Sequence, residues 1–287
     1  MNRTILAFIT GLCAVLGAAA ASPGVRWHNE AADTTRIAAI LDRACSQRWA
    51  NPSARTAAIA AEFVGTPYVA HTLEGEQEVL TVNLDQLDCT TLVDVTLALS
   101  YTAGENRRGW QDFLYNLRRL RYRGGETDGY ASRLHYNCDW AVDNIHRGNI
   151  SDATPQLPKC TYMVRSIDFM TANADKYPAM ADSATRARIK SVESGFRNHR
   201  FPYIKTIDLS NAAVKAALRP GDVLGFVSNL KNLDITHMGI LVEKDGELYV
   251  LHASSTDGLV EVSARPLADF VKRNRQWIGI RVYRLRE

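Results

Sequence analysis

The chain has 287 residues, with 34 Lys+Arg against 31 Asp+Glu, 46% hydrophobic residues and 8% aromatics. These are the proportions of a globular protein, and they exclude an intrinsically disordered chain, a collagen-like one and a polytopic membrane protein. A net charge of +3 is too small to imply a nucleic-acid partner.

Residues 1–21 read MNRTILAFITGLCAVLGAAAA. Arg3 precedes an apolar stretch from Ile5 to Gly17, and a run of alanines follows in which Ala18-x-Ala20 or Ala19-x-Ala21 suits a signal peptidase. The stretch is short for a membrane span and breaks into Ser22-Pro23-Gly24. Cys13 follows Leu12, where a lipoprotein signal needs a small residue. The segment is therefore read as a cleaved secretory signal. The mature chain, 22–287, is expected to be one domain working in the periplasm or cell envelope, with no stable membrane insertion.

The mature chain opens with helical patterns at 33–49 and 53–64, the second with Pro52 at its start and Gly65 after it. Thr66-Pro67-Tyr68 is a turn, and 79–84 reads as a strand. Asp88 stands where a helix begins, and 90–100 is apolar nearly all round, so that helix is buried. Trp110, Phe113, Leu114, Leu117 and Leu120 mark an amphipathic helix ended by Gly124-Gly125. Arg118, Arg119, Arg121 and Arg123 read as its solvated face. Shorter helices are expected at 140–146, 183–193 and 211–218. From Asp222 the texture changes to strands at 223–227, 237–242, 248–252, 259–262 and 278–285, with a helix at 267–273. Asp245-Gly246 is a strong hairpin signal between the second and third strands. Helices first and a strand meander afterwards argue α+β with an antiparallel sheet.

Removing the signal leaves Cys45, Cys89, Cys138 and Cys160. Cys45 lies among Ile37, Ile40, Leu41 and Ala44 at helical spacing and reads as a small buried hydrophobe. Cys138 and Cys160 flank a loop rich in Pro, Thr and Asp, and outside the cytoplasm a bridge between them is open. Cys89 differs, because it sits at the head of the buried helix in Leu87-Asp88-Cys89-Thr90-Thr91-Leu92-Val93. A helix N-terminus offers partial positive charge and free N–H groups, which lower a thiol pKa and can hold an oxyanion. His237 opens one expected strand and His252 ends the next, so the hairpin brings them side by side. One can take the thiol proton and the other can orient it.

Four ordered motifs resemble those of the NlpC-like papain-fold cell-wall hydrolases: Gly65-Thr66-Pro67-Tyr68, Asp88-Cys89-Thr90-Thr91-Leu92-Val93 with Gly221-Asp222 further on, His237-Met238-Gly239-Ile240, and His252-Ala253-Ser254. The chain departs in having Thr90-Thr91 after the Cys and a long stretch, roughly 105–218, between nucleophile and base. That stretch is expected to be a mostly helical insertion. Leu87–Thr91, Leu134-His135-Tyr136…Asp139-Trp140…Asp143-Asn144 and Leu233–Gly239 look like the N-acetylmuramoyl-L-alanine amidase-like branch. The resemblance implies a papain-like fold, with the helix that starts at the nucleophile packed on an antiparallel sheet. It implies a catalytic set of Cys89, His237 and His252, no cofactor or metal, and peptidoglycan fragments as substrates. The bond implied is the amide between the muramic lactyl group and L-Ala.

Asp88 either accepts from substrate N–H groups, as the resemblance implies, or starts the helix. Thr90 and Thr91 either touch substrate or satisfy the helix start. Tyr68 lines the cleft or packs. His135, Tyr136 and Trp140 read a sugar or peptide stem, or form the insertion's core. No His-Glu-x-x-His, Cys-x-x-Cys or phosphate-binding glycine loop is present. Two rival readings are cleavage of γ-D-glutamyl-diaminopimelate on the same fold and a wall-binding module without catalysis. The sequence does not give the oligomeric state.

Overall fold

The computed structural model describes residues 24–286. The expected signal at 1–21 lies outside the described residues. The helices are α1 (Glu30–Cys45), α2 (Pro52–Ala61), α3 (Cys89–Gly104), α4 (Trp110–Arg121), α5 (Asn137–His146), α6 (Phe169–Ala172), α7 (Ser183–Ser194), α8 (Ala212–Ala217) and α9 (Leu267–Arg273). The strands are β1 (Arg26–Trp27), β2 (Thr81–Val82), β3 (Ile150–Asp152), β4 (Thr161–Arg165), β5 (His199–Lys205), β6 (Val223–Ser228), β7 (Ile235–Lys244), β8 (Glu247–Ser254), β9 (Leu259–Val262) and β10 (Trp277–Leu285). β1 and β2 form a small parallel pair. The other strands make one antiparallel sheet in the order β4-β5-β10-β6-β7-β8-β9, with β3 added to β10. The architecture is α+β. Among the described residues no helix is long and apolar enough to cross a membrane.

The sheet is covered on both faces, and strand alternation assigns residues to each. Met238, Ile240, Leu251 and Ala253 pack with α1, α2, α3 and α4 in the main core. Leu241, Val250, Leu224 and Phe226 point the other way, into a second core closed by α8 and α9. Side chains such as Phe113, Leu117 and Leu120 of α4 are wholly buried, and each contributes about 1.5–3 kcal/mol through removal from water. The β7–β8 turn is as expected: Asp245 and Gly246 both have positive φ, the backbone of a type I′ hairpin. Gly221 is forced by space, since a Cβ there would sit 1.8 Å from the Ser53 carbonyl oxygen. Its neighbour Asp222 is fully buried and accepts from Arg284 Nε at 2.7 Å, so the Gly-Asp pair ties α2 and β10 to the sheet.

Helices α4 to α8 make up most of the regular structure in 105–218, as expected, but the stretch also supplies the unforeseen strands β3, β4 and β5 to the sheet. The signal was hidden by Pro202, which interrupts a run otherwise readable as a strand; in the fold it pairs with Tyr162 of β4 near the sheet edge. The Arg118–Arg123 cluster is not a solvated face. Arg121 is buried against Asp94, Arg119 lies over the Tyr101 ring and Arg123 grips Asp139 through both carboxylate oxygens. Finally, Cys138 and Cys160 are both free thiols. Cys138 is sealed in a third cluster with Tyr136, Ile167 and Met170, whereas Cys160 packs on the second core.

Candidate active site

Cys89 is the first residue of α3, and Asp88 is its N-cap. Asp88 Oδ1 accepts from the backbone N–H of Thr90 at 3.0 Å and of Thr91 at 2.7 Å. The Thr91 hydroxyl closes a reciprocal capping box by accepting from the Asp88 N–H at 2.8 Å. Asp88 Oδ1 and Thr91 thus start the helix, one of the two roles the sequence allows them. The Cys89 N–H has no such partner among the described residues. It is the first-turn donor still available to an oxyanion.

The histidines occupy the sheet face that carries Phe226. His237 pairs with Phe226 across β6–β7, and a bulge at Thr236 sets that register. The β7–β8 ladder runs from Lys244↔Glu247 to Ile240↔Leu251. Beyond it, His237 and His252 are diagonal neighbours, and their rings meet with Nε2 of His237 3.1 Å from Nδ1 of His252. Aromatic rings wall the pair: Trp277 stacks on His237 with an interplanar angle of 9°, Phe270 tilts against His252, and Phe226 stacks on Trp277. Trp277 is held in turn by its indole N–H donating to Thr236 Oγ1 at 3.2 Å. Sequence reasoning missed this wall. Its members come from β6, α9 and β10, and only the sheet order brings them together.

Helix α3 packs on the opposite face of β7, so the thiol comes to the strand from the other side than the imidazole. The Cys89 thiol faces the backbone of Met238, the residue after His237. Its hydrogen-bond contact is Thr90 Oγ1 at 4.0 Å, and no hydrogen bond runs to His237 in this conformation. Tyr68 stands beside the thiol: burial, Cys89 and Asp88 all raise its hydroxyl pKa. Its backbone N–H donates to the Gly258 carbonyl, which fastens the turn to the loop after β8.

The electrostatics correct the sequence argument. A helix N-terminus was expected to lower the thiol pKa, but burial, and then the Asp88 charge, push Cys89 up to about 11. Burial, followed by the charge of its partner, holds His237 down to about 3; burial likewise holds His252 down to about 4. Thiol and imidazoles are all neutral at pH 7. Alkylation of Cys89 by iodoacetamide, followed by peptide mass, should therefore be a few hundredfold slower at pH 7 than for an ordinary thiol and should climb steadily toward pH 11. A fast, pH-flat reaction would instead mean a thiolate–imidazolium pair.

The sequence matches the AmiA-like family, described as N-acetylmuramoyl-L-alanine amidase-like, over residues 58–280. The chain belongs to this family. An N-acetylmuramoyl-L-alanine amidase from Bacteroides uniformis ATCC 8492 is 34% identical, with a TM-score of 0.78 over 82% of this chain and 99% of its own. A Bacteroides fragilis structure named as a candidate xylanase is 33% identical, with a TM-score of 0.75 over 79% of this chain and 100% of its own. A Legionella pneumophila protein, 21% identical with a TM-score of 0.71 over 90% of this chain and 97% of its own, shares the fold. No curated protein matches the chain.

In this AmiA-like chain His237 and His252 line a cleft of about 900 Å³, with Ser254, Asp257, Glu261 and Trp277 among its walls. Cys89 and Tyr68 are not among its walls. The insertion residues do not reach it. Tyr136 is buried and donates to Glu193 at 2.7 Å. Trp140 is buried edge-on against Tyr283, with its indole N–H toward Asp94. His135 packs on Tyr130, with Nε2 2.8 Å from that residue's carbonyl oxygen. All three pack rather than line the cleft: Tyr136 in the third cluster, Trp140 in the main core and His135 on Tyr130. Among the described residues no group of three or more His, Cys, Asp or Glu is placed to hold a metal ion.

Proposed function

We propose that this protein is a cysteine amidohydrolase of the papain-like NlpC type that cleaves the muramic lactyl–L-Ala amide of peptidoglycan fragments. The observation that carries the reading is the His237–His252 contact at 3.1 Å beside a strand residue that the helix-start Cys89 faces. Family membership favours this bond over the γ-D-glutamyl one. Residues 1–21, read as a signal, direct the enzyme to the periplasm or cell envelope.

Because thiol and imidazole are neutral at rest, proton transfer and attack are coupled. Nδ1 of His237 takes the thiol proton as Cys89 Sγ bonds to the lactyl carbonyl carbon. The resulting oxyanion sits on the Cys89 N–H, with the Tyr68 hydroxyl placed as a second donor. His237 returns the proton to the L-Ala nitrogen, the C–N bond breaks, and water then hydrolyses the thioester. The missing thiol–imidazole hydrogen bond is no obstacle, since such bonds are commonly long in unliganded sites and tighten around substrate. A glycosidase reading fits less well. The two cleft carboxyls, Asp257 and Glu261, lie within hydrogen-bond reach of one another, too close to flank a glycosidic bond.

Arg265, Arg273 and Arg275 also line the cleft and form no ion pair among the described residues. A γ-linked D-Glu leaves its α-carboxylate free, so the stem peptide is the anionic partner these side chains suit. Arg273→Ala combined with Arg275→Ala should raise KM about three- to tenfold, with kcat nearly unchanged and the effect shrinking in high salt. Product mass decides the bond. A free peptide beginning at L-Ala and a peptide-free sugar establish the amidase, whereas a cut after D-Glu transfers the same machinery to the endopeptidase reaction.

A further inference from the structure

One ring nitrogen of the histidine pair lacks a partner. His252 Nε2 is buried and makes no hydrogen bond among the described residues. The β8–β9 register sets Glu261 directly opposite His252. Glu261 Oε1 lies 3.8 Å from that nitrogen, and its side chain is 30% exposed against 7% for His252. Asp257 and the Ala253 carbonyl also face the ring, but Glu261 is the carboxylate within ion-pair distance. Leaving a buried donor unsatisfied costs about 1–3 kcal/mol. That cost favours a small closure of the Glu261 carboxylate onto Nε2.

We propose that Glu261 is a positioning residue whose carboxylate fixes the tautomers of both histidines. The inference rests on the reading of His237 as the base for Cys89. An acceptor at Nε2 of His252 places the proton there and leaves Nδ1 as a lone pair. That lone pair, 3.1 Å from His237 Nε2, accepts the Nε2–H of His237. Nδ1 of His237 is then unprotonated, as a base must be. The opposite arrangement, Nδ1–H of His252 donating to Nε2 of His237, puts the proton on His237 Nδ1 and removes the base. The acceptor oxygen of Glu261 beside Nε2 chooses between them. Its surroundings keep it in place. Ser254 Oγ donates to Asp257 Oδ2 at 2.8 Å, and the Asp257 carboxyl and the Ser254 hydroxyl both face Glu261.

The test uses the mature chain with labelled histidine. Imidazole ¹⁵N–¹³C correlation spectra at pH 7 are recorded for wild type, Glu261→Leu and Glu261→Gln, with steady-state kinetics on muropeptides alongside. Wild type should show both histidines as the Nε2–H form. Glu261→Leu should show Nδ1–H at His252 or His237, with kcat down about 10- to 100-fold and KM within about twofold. Glu261→Gln keeps a carbonyl acceptor and should restore the wild-type tautomers and most of kcat. Unchanged tautomers in Glu261→Leu, or Nδ1–H at His252 in wild type, would overturn the proposal. The spectra need no substrate, so they decide this point even if wild type turns nothing over, an outcome that would count against the amidase reading alone.

Discussion

Cys89→Ala is expected to lose at least about 10³-fold in kcat for release of the L-Ala-headed peptide, while the thermal midpoint moves by no more than a few degrees. The two effects separate because of where the thiol sits. Cys89 is half-buried at the first position of α3, and the cap that starts the helix belongs to Asp88 and Thr91 rather than to the sulfur. Removing the sulfur costs about 1 kcal/mol of packing, but it removes the group that forms the acyl-enzyme. His237→Ala should lose a comparable factor, since the neutral thiol has no other base beside it. His252→Ala should lose less, because it acts through His237. Kinetics with the purified variants, paired with thermal denaturation, check all three. Residual turnover in Cys89→Ala within tenfold of wild type would place the nucleophile elsewhere.

The residues that announce this site in the sequence are those whose local chemistry is self-contained. Asp88 and Thr91, three apart, already spell a capped helix start around Cys89. Asp245-Gly246 fixes a hairpin, and the hairpin alone makes His237 and His252 neighbours. What stayed hidden depends on distant parts of the chain. Glu261 faces His252 only through the β8–β9 register, and the wall of Phe226, Phe270 and Trp277 needs the sheet order. β5 stayed hidden because Pro202 disguises it as a loop. Tyr136 and Trp140 carry chemistry suited to a sugar site, but the sequence does not say which way α5 turns; in the fold both face inward. The thiol pKa was misjudged for a related reason. The helix start is visible in the sequence, whereas the burial that outweighs it is a property of the packed sheet.

Asp94→Ala should be the most destabilising of the single changes considered, at about 3–5 kcal/mol, or on the order of 10 °C in a domain of this size. Asp94 lies on α3, five residues beyond Cys89. Its Oδ2 accepts from Arg121 Nε at 2.9 Å, and the two side chains are 2% and 3% exposed. Arg121 Nη1 donates onward to the Thr81 carbonyl at 2.6 Å, so the pair fastens the nucleophile helix to α4 and β2. Burial pushes the Asp94 carboxyl up against the pull of Arg121, the signature of a charge that has given up much hydration. Cutting Asp94 to Ala leaves a guanidinium in the core hydrogen-bonded to the Thr81 carbonyl, with the Glu78 carboxyl acting on it only through space, and the loss of its bonded counter-charge sets the size of the effect. Replacing both partners, Asp94→Leu with Arg121→Met, removes the stranded charge and should recover most of the stability. Turnover then tells what the pair is for. If the double variant is stable but slow, the ion pair sets the angle at which α3 presents Cys89 to β7; if it is stable and active, apolar packing suffices to seat the helix.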